Sequence, residues 1–150
     1  MKKIILVFLS LLSCFCMSSC FGPNEGTEKK DVFDLNVVNW DNYCSAKSYF
    51  LGVQDRKITA SCWFYVDSNY EIYEEIYVEL KVTYDAFYYT NLLGGDETHQ
   101  SITYYFSGMV KDDMEELKPR YLTPYEGTKE YFCKGEPVIS VVRISGKLCR

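Results

Sequence analysis

The sequence predicts an all-β domain, an antiparallel β-sandwich with a small barrel as the alternative, interrupted by one short helix. Three observations predict it. Two segments alternate apolar and polar side chains with a strict period of two. Turn-forming clusters punctuate the apolar runs at roughly ten-to-twenty-residue intervals, as in sandwiches and barrels. Aromatic residues make up 17% of the chain, including 14 Tyr and 9 Phe, and such side chains favour a pleated surface. A chain of 150 residues that is 47% hydrophobic and 25% charged is expected to fold, and to fold as one domain.

Taken in order, residues 33–38 read as a short strand and residues 40–43 as a single turn. Residues 58–66 form the first clear strand. Ile58, Ala60, Cys62, Phe64 and Val66 face one way, while Thr59, Ser61, Trp63 and Tyr65 face the other. Asp67, Ser68 and Asn69 then mark a turn. Residues 76–84 repeat the pattern, with Ile76, Val78, Leu80, Val82 and Tyr84 on one face of a strand roughly 30 Å long. Leu93, Gly94, Gly95 and Asp96 break the chain before a strand over residues 100–106. A short helix is expected around Met114. Asp112 and Glu115 have capping-box-like spacing, Val110, Met114 and Leu117 form a stripe, and Pro119 stops it. Residues 128–133 and 138–145 complete the strands, separated by the turn residues 134–137. The last is apolar on both faces, as a central strand would be.

The chain opens with a basic head, Lys2 and Lys3, and a charge-free apolar run over residues 4–17. That run is shorter than the ~20 residues a spanning helix needs and suits the core of a secretory signal. Met17-Ser18-Ser19-Cys20 follows, and it resembles the lipobox of bacterial lipoproteins, with Met17 standing where Leu is usual. The resemblance implies cleavage before Cys20 and fatty acylation (palmitate or similar) of its thiol. Buried acyl chains contribute about 0.8 kcal/mol per methylene, enough with two chains for stable anchoring. The expected location is the extracytoplasmic face of the cell membrane or outer membrane. An uncleaved anchor and an unlipidated secretory cut are the rival readings. Residues 1–19 are thus the expected signal, 20–31 a lipidated polar tether, and 32–150 the folded domain. From Phe21 onward 14 basic side chains face 21 acidic ones, a net charge of −7. That balance argues against nucleic acid and favours steering of a basic protein.

Within the domain, residues 34–43 (DLNVVNWDNY) resemble the opening segment of fibronectin-III-like sandwiches on bacterial lipoproteins. Residues 81–85, 122–127 and 141–146 are similar to segments of FxLYD-type extracytoplasmic domains. Residues 86–100 and the helix near Met114 depart from the short forms. The resemblance implies a binding or accessory module without catalysis. Four cysteines remain after the signal and Cys20 are set aside: Cys44, Cys62, Cys133 and Cys149. In an exported domain they are expected to form two disulfides, with three connectivities open. Pairing Cys133 with Cys149 is disfavoured by the length of the strand between them. Tyr131-Phe132-Cys133 resembles the tyrosine corner of immunoglobulin domains, which implies Cys62–Cys133 and leaves Cys44–Cys149.

Chemistry-bearing motifs are scarce. His99 is the only histidine and reads as part of a solvated loop with Asp96 and Glu97, in preference to a metal site. The acidic run 111–116 reads as an exposed helix face. No nucleophile-elbow, zincin, P-loop or dinucleotide motif occurs, so no enzyme activity and no cofactor are expected. What stands out is aromatic. Tyr73 and Tyr77 alternate with Glu75 and Glu79, and Phe87, Tyr88 and Tyr89 sit at a strand-to-loop boundary. Tyr offers large contact area with a polar tip, so these five form a candidate binding surface. The plainer account is that they cover a second sheet. The expected function is a lipid-anchored, non-catalytic binding or adhesion module. A subunit of a cell-envelope complex is the alternative, and a secreted hydrolase has no supporting carboxylate spacing. Replacing Cys20 with Ser is expected to move the protein from the membrane fraction to the soluble extracytoplasmic fraction, read by fractionation and immunoblotting. Continued membrane retention would refute lipid anchoring.

Overall fold

The computed structural model describes residues 29–55, 57–90, 95–120, 123–124 and 130–150. In chain order the strands are β1 (Val32–Asp34), β2 (Cys44–Gln54), β3 (Lys57–Val66), β4 (Glu71–Ile72), β5 (Ile76–Tyr89), β6 (Glu97–Val110), β7 (Met114–Pro119), β8 (Thr123–Pro124), β9 (Phe132–Cys133), β10 (Val138–Ser145) and β11 (Lys147–Cys149). A 3-10 turn at Trp40–Asn42 precedes β2. The all-β, antiparallel class predicted from sequence holds.

The organising element is the long hairpin β5–β6. Its strands pair without a slip from Ile76↔Val110 to Tyr89↔Glu97. Period-2 alternation therefore sends Ile76, Val78, Leu80, Val82, Tyr84 and Ala86 inward from β5, to meet Ile102, Tyr104, Phe106 and Val110 from β6. The larger sheet runs β10-β5-β6-β7-β3-β2, with β8 added on β3 and β9 on β5. It curls until its end strands, β10 and β2, face each other across a narrow seam, a nearly closed barrel. A three-stranded sheet, β1-β11-β4, lies at the end where β5 begins. There Trp40 stacks on Phe64 at 5.9 Å, and Phe33, Tyr43 and Tyr70 form a ring cluster.

Burial of each large interior side chain contributes about 1.5–3 kcal/mol. The polar atoms among them are satisfied. Tyr104 donates to the Ile58 carbonyl at 2.6 Å, and Ser48 donates to the Ser61 carbonyl at 2.5 Å while bonded to the Tyr84 hydroxyl. Among the described residues no buried side-chain polar atom lacks a partner. Burial holds the Tyr84 hydroxyl far above its ordinary pKa, so it stays a neutral donor.

Several sequence expectations need correction. The helix expected around Met114 is strand β7. Leu117 points inward opposite Cys62, while Met114, Glu116 and Lys118 face out. This strand joins β6 to β3, and its ladder outweighs a helical signal of three side chains and a cap. Strand β10 is an edge strand and not a central one. It pairs with β5 alone, Val138 and Val142 are exposed, and a bulge between Val141 and Arg143 shifts the alternation that made both faces apolar. The strand expected over residues 33–38 stops at Asp34, whose carboxylate accepts from the Asn36 backbone and side-chain amides and turns the chain. Strand β2 was not anticipated. Its inward side chains begin with Cys44, Ala46 and Ser48, too small or polar to register as an apolar stripe, and Phe50 follows only next to the bulge between Phe50 and Gly52. The signal, Cys20, most of the tether and residues 128–129 lie outside the described residues.

Gly146 makes the turn from β10 to β11 possible. Its φ is 137°, and a Cβ there would lie 2.8 Å from the Ile76 Cα. Gly146→Ala is expected to destabilise the fold by about 1–3 kcal/mol, seen as a lower urea midpoint. An unchanged midpoint would show that this junction is not strained.

Candidate functional site

The far end of the hairpin carries the most unusual surface. Phe87 on β5 lies directly opposite His99 on β6 and opposite Phe132 on β9. Cross-strand pairing therefore lines up three rings across three adjacent strands. The Phe87 ring centroid is 5.6 Å from Phe132 and 5.8 Å from His99, with interplanar angles near 30° in both cases (31° and 32°). Tyr89 stands edge-on to Phe87 at 5.7 Å, at 87°, and forms a wall beside the row. Phe132 and Tyr89 are each more than 40% exposed, unusual for large rings on a sheet face.

Carboxylates rim this row. Asp85 lies 3.3 Å from His99 Nδ1, and Glu97 lies 3.3 Å from His99 Nε2. A neutral imidazole has one N–H, so it donates to only one of them. Lys134 Nζ also reaches Glu97, at 3.7 Å. The arrangement can hold a flat or cationic group against the rings. Among the described residues it holds no nucleophile beside a base.

Of the residues singled out in the sequence, Phe87 and Tyr89 belong to this surface. Tyr88 turns the other way, into the barrel mouth, where its ring meets Tyr131 at 5.4 Å. Tyr77 lies at the opposite end of β5, roughly 30 Å away at the rise of an extended strand, and the exposed Tyr73 precedes that strand. Tyr77 is covered by the Arg143 guanidinium at 5.4 Å, and Glu79 is engaged by Arg120. The candidate surface is therefore split, and its Tyr73–Tyr77 half is partly a packing surface. Sequence reading missed Phe132 and assigned His99 to a loop. The signal was present in the alternation of Asp85, Phe87 and Tyr89 beyond residue 84, which prolongs β5 towards the turn residues and so lengthens its partner strand.

A second feature is a cleft of about 530 Å³ along the seam, lined by Ala46–Phe50 of β2 and by Cys133, Gly135, Glu136, Pro137 and Ile139. Of the four cysteines only Cys133 lines it. Cys44, Cys62, Cys133 and Cys149 are all free in the structure, so the expected pairs Cys62–Cys133 and Cys44–Cys149 are not formed. Cys62 points inward beside Ser48, whereas Cys133 sits opposite Ala86 on the far side of the seam, and its thiol turns to the Gly135 carbonyl at 3.7 Å. Burial pushes the Cys44 and Cys62 thiols up to about 12, and burial together with Asp85 raises Cys133. Thiols held protonated are poor nucleophiles.

Among the described residues no group of three His, Cys, Asp or Glu side chains is arranged to hold a metal ion, and no helix is long and apolar enough to cross a membrane. Comparison with known proteins finds no matching family model, curated protein or solved structure.

In reduced, native protein at pH 8, Cys133 is expected to react first with iodoacetamide, while Cys44 and Cys62 are modified only after denaturation. Peptide mass spectrometry reads the order. Early labelling of Cys62 would mean that the barrel interior opens.

Proposed function

We propose that this chain is a lipid-anchored, extracytoplasmic binding module without catalytic activity. The observation that supports it best is the exposed row Phe132–Phe87–His99 with its wall, Tyr89, and its carboxylate rim. Large rings left half-exposed on a sheet face mark contact surfaces, because burying them against a partner recovers the free energy that folding left unused. Rings held in register by strand pairing are also rigid, which lowers the entropy lost on contact. The raised thiol pKa values support a non-catalytic reading, since they disfavour cysteine chemistry. The lipobox-like Met17-Ser18-Ser19-Cys20 supports membrane anchoring, with the tether holding the domain off the lipid.

The test is site-specific photocrosslinking on whole cells, with benzoylphenylalanine at Tyr89 and, as a control, at Tyr73. A discrete adduct from position 89 and none from position 73 is the expected result. Absence of adducts at position 89 would overturn the assignment. So would stoichiometric copurification with envelope proteins that survives Phe87→Ala and Tyr89→Ala, which would make the chain a structural subunit.

A further inference from the structure

Resting on that reading, we infer that the row Phe132–Phe87–His99 captures an arginine side chain presented by a basic partner protein. The local charge is the first argument. Asp85 and Glu97 border the rings, Asp96 and Glu130 flank the strands that carry them, and among the described residues Lys134 is the cation seen to reach this rim. Beyond the signal the whole chain carries −7, so a basic partner is drawn towards it from a distance.

Shape is the second argument. A planar guanidinium can lie flat on an aromatic face and donate in its own plane to a carboxylate at the rim. Phe132 and Tyr89, each more than 40% exposed, supply the open ring surface, and Tyr89 stands edge-on to Phe87 as a side wall. Each carboxylate has about four acceptor sites and spends few of them on His99 and Lys134. The contacts to His99 and Lys134 fall on Oδ1 of Asp85 and Oε2 of Glu97, one oxygen of each carboxylate. An ammonium is a compact, strongly hydrated charge and cannot use the flat face and the rim together.

The third argument is internal. Lys134 extends to Glu97 at a loose 3.7 Å, with its side chain 59% exposed. A cation of the chain itself already reaches this rim, held weakly enough for a better donor to displace it.

The experiment uses the full chain purified in detergent and three fluorescein-labelled probes, Gly-Arg, Gly-Lys and Gly-citrulline repeat peptides, in fluorescence anisotropy. The arginine peptide is expected to bind at least about fivefold tighter than the lysine peptide, with no measurable binding of the neutral citrulline form. Phe132→Ala and Glu97→Gln, both at exposed positions, are each expected to weaken the arginine peptide by about three- to tenfold. Lys134→Met is expected to tighten it by removing the internal competitor. Equal affinity for arginine and lysine peptides would overturn the inference, as would indifference to Phe132→Ala and Glu97→Gln. Binding of a neutral chito-oligosaccharide at Tyr89 in place of the arginine peptide would also overturn it. Crosslinking from position 89 in cells, with no arginine-peptide binding, would reject arginine capture and leave the binding module standing.

Discussion

The slip-free pairing of β5 with β6 is the constraint on which both the interior and the outer surface depend. Side chains alternate with a period of two, so a one-residue slip would turn every inward residue of one strand outward. In the observed register Tyr84, Tyr104 and Phe106 meet inside, and Phe87 meets His99 outside. The core and the aromatic row are opposite faces of one ladder. A change that loosens the core would therefore also disperse the row.

The interior tolerates its hydroxyl groups because each has a defined partner. Ser48 sits where a barrel strand would ordinarily place an aliphatic side chain, yet it links the Tyr84 hydroxyl to the Ser61 carbonyl. An unpaired hydroxyl there would cost about 1–3 kcal/mol. This polar crossing ties β5 to β2 through the middle of the barrel, beside the seam where the ladder does not close. Stability at the seam comes from side chains and not from backbone pairing. The free edges are protected in the usual ways, by Lys47 on β2, by the bulge in β10 and by Pro137 before it.

The chemistry of the outer surface follows from which atoms are left exposed. The Cys44 and Cys62 thiols are buried and held protonated, and the histidine lies within reach of a carboxylate on each nitrogen. Among the described residues no group is both nucleophilic and positioned beside a base. The rings and carboxylates are positioned, rigid and open, which is what a contact surface requires.

Local pattern was enough to determine the strands at residues 58–66 and 76–84 and the antiparallel class, because period-2 alternation is written in consecutive residues. It was not enough where a residue's state depends on a distant partner. Residues 114–119 carry a weak helical stripe and became a strand because β6 and β3 offered a ladder on both sides. Strand β2 carries no regular alternation in its first half, Cys44–Ser48, and forms because β3 pairs with it. His99 looked like a loop residue, and Phe132 like an ordinary strand residue, until pairing placed both against Phe87. Alternation within a segment is a property of the chain. Which segments become neighbours depends on burying all the inward faces at once, and only the folded sheet decides that.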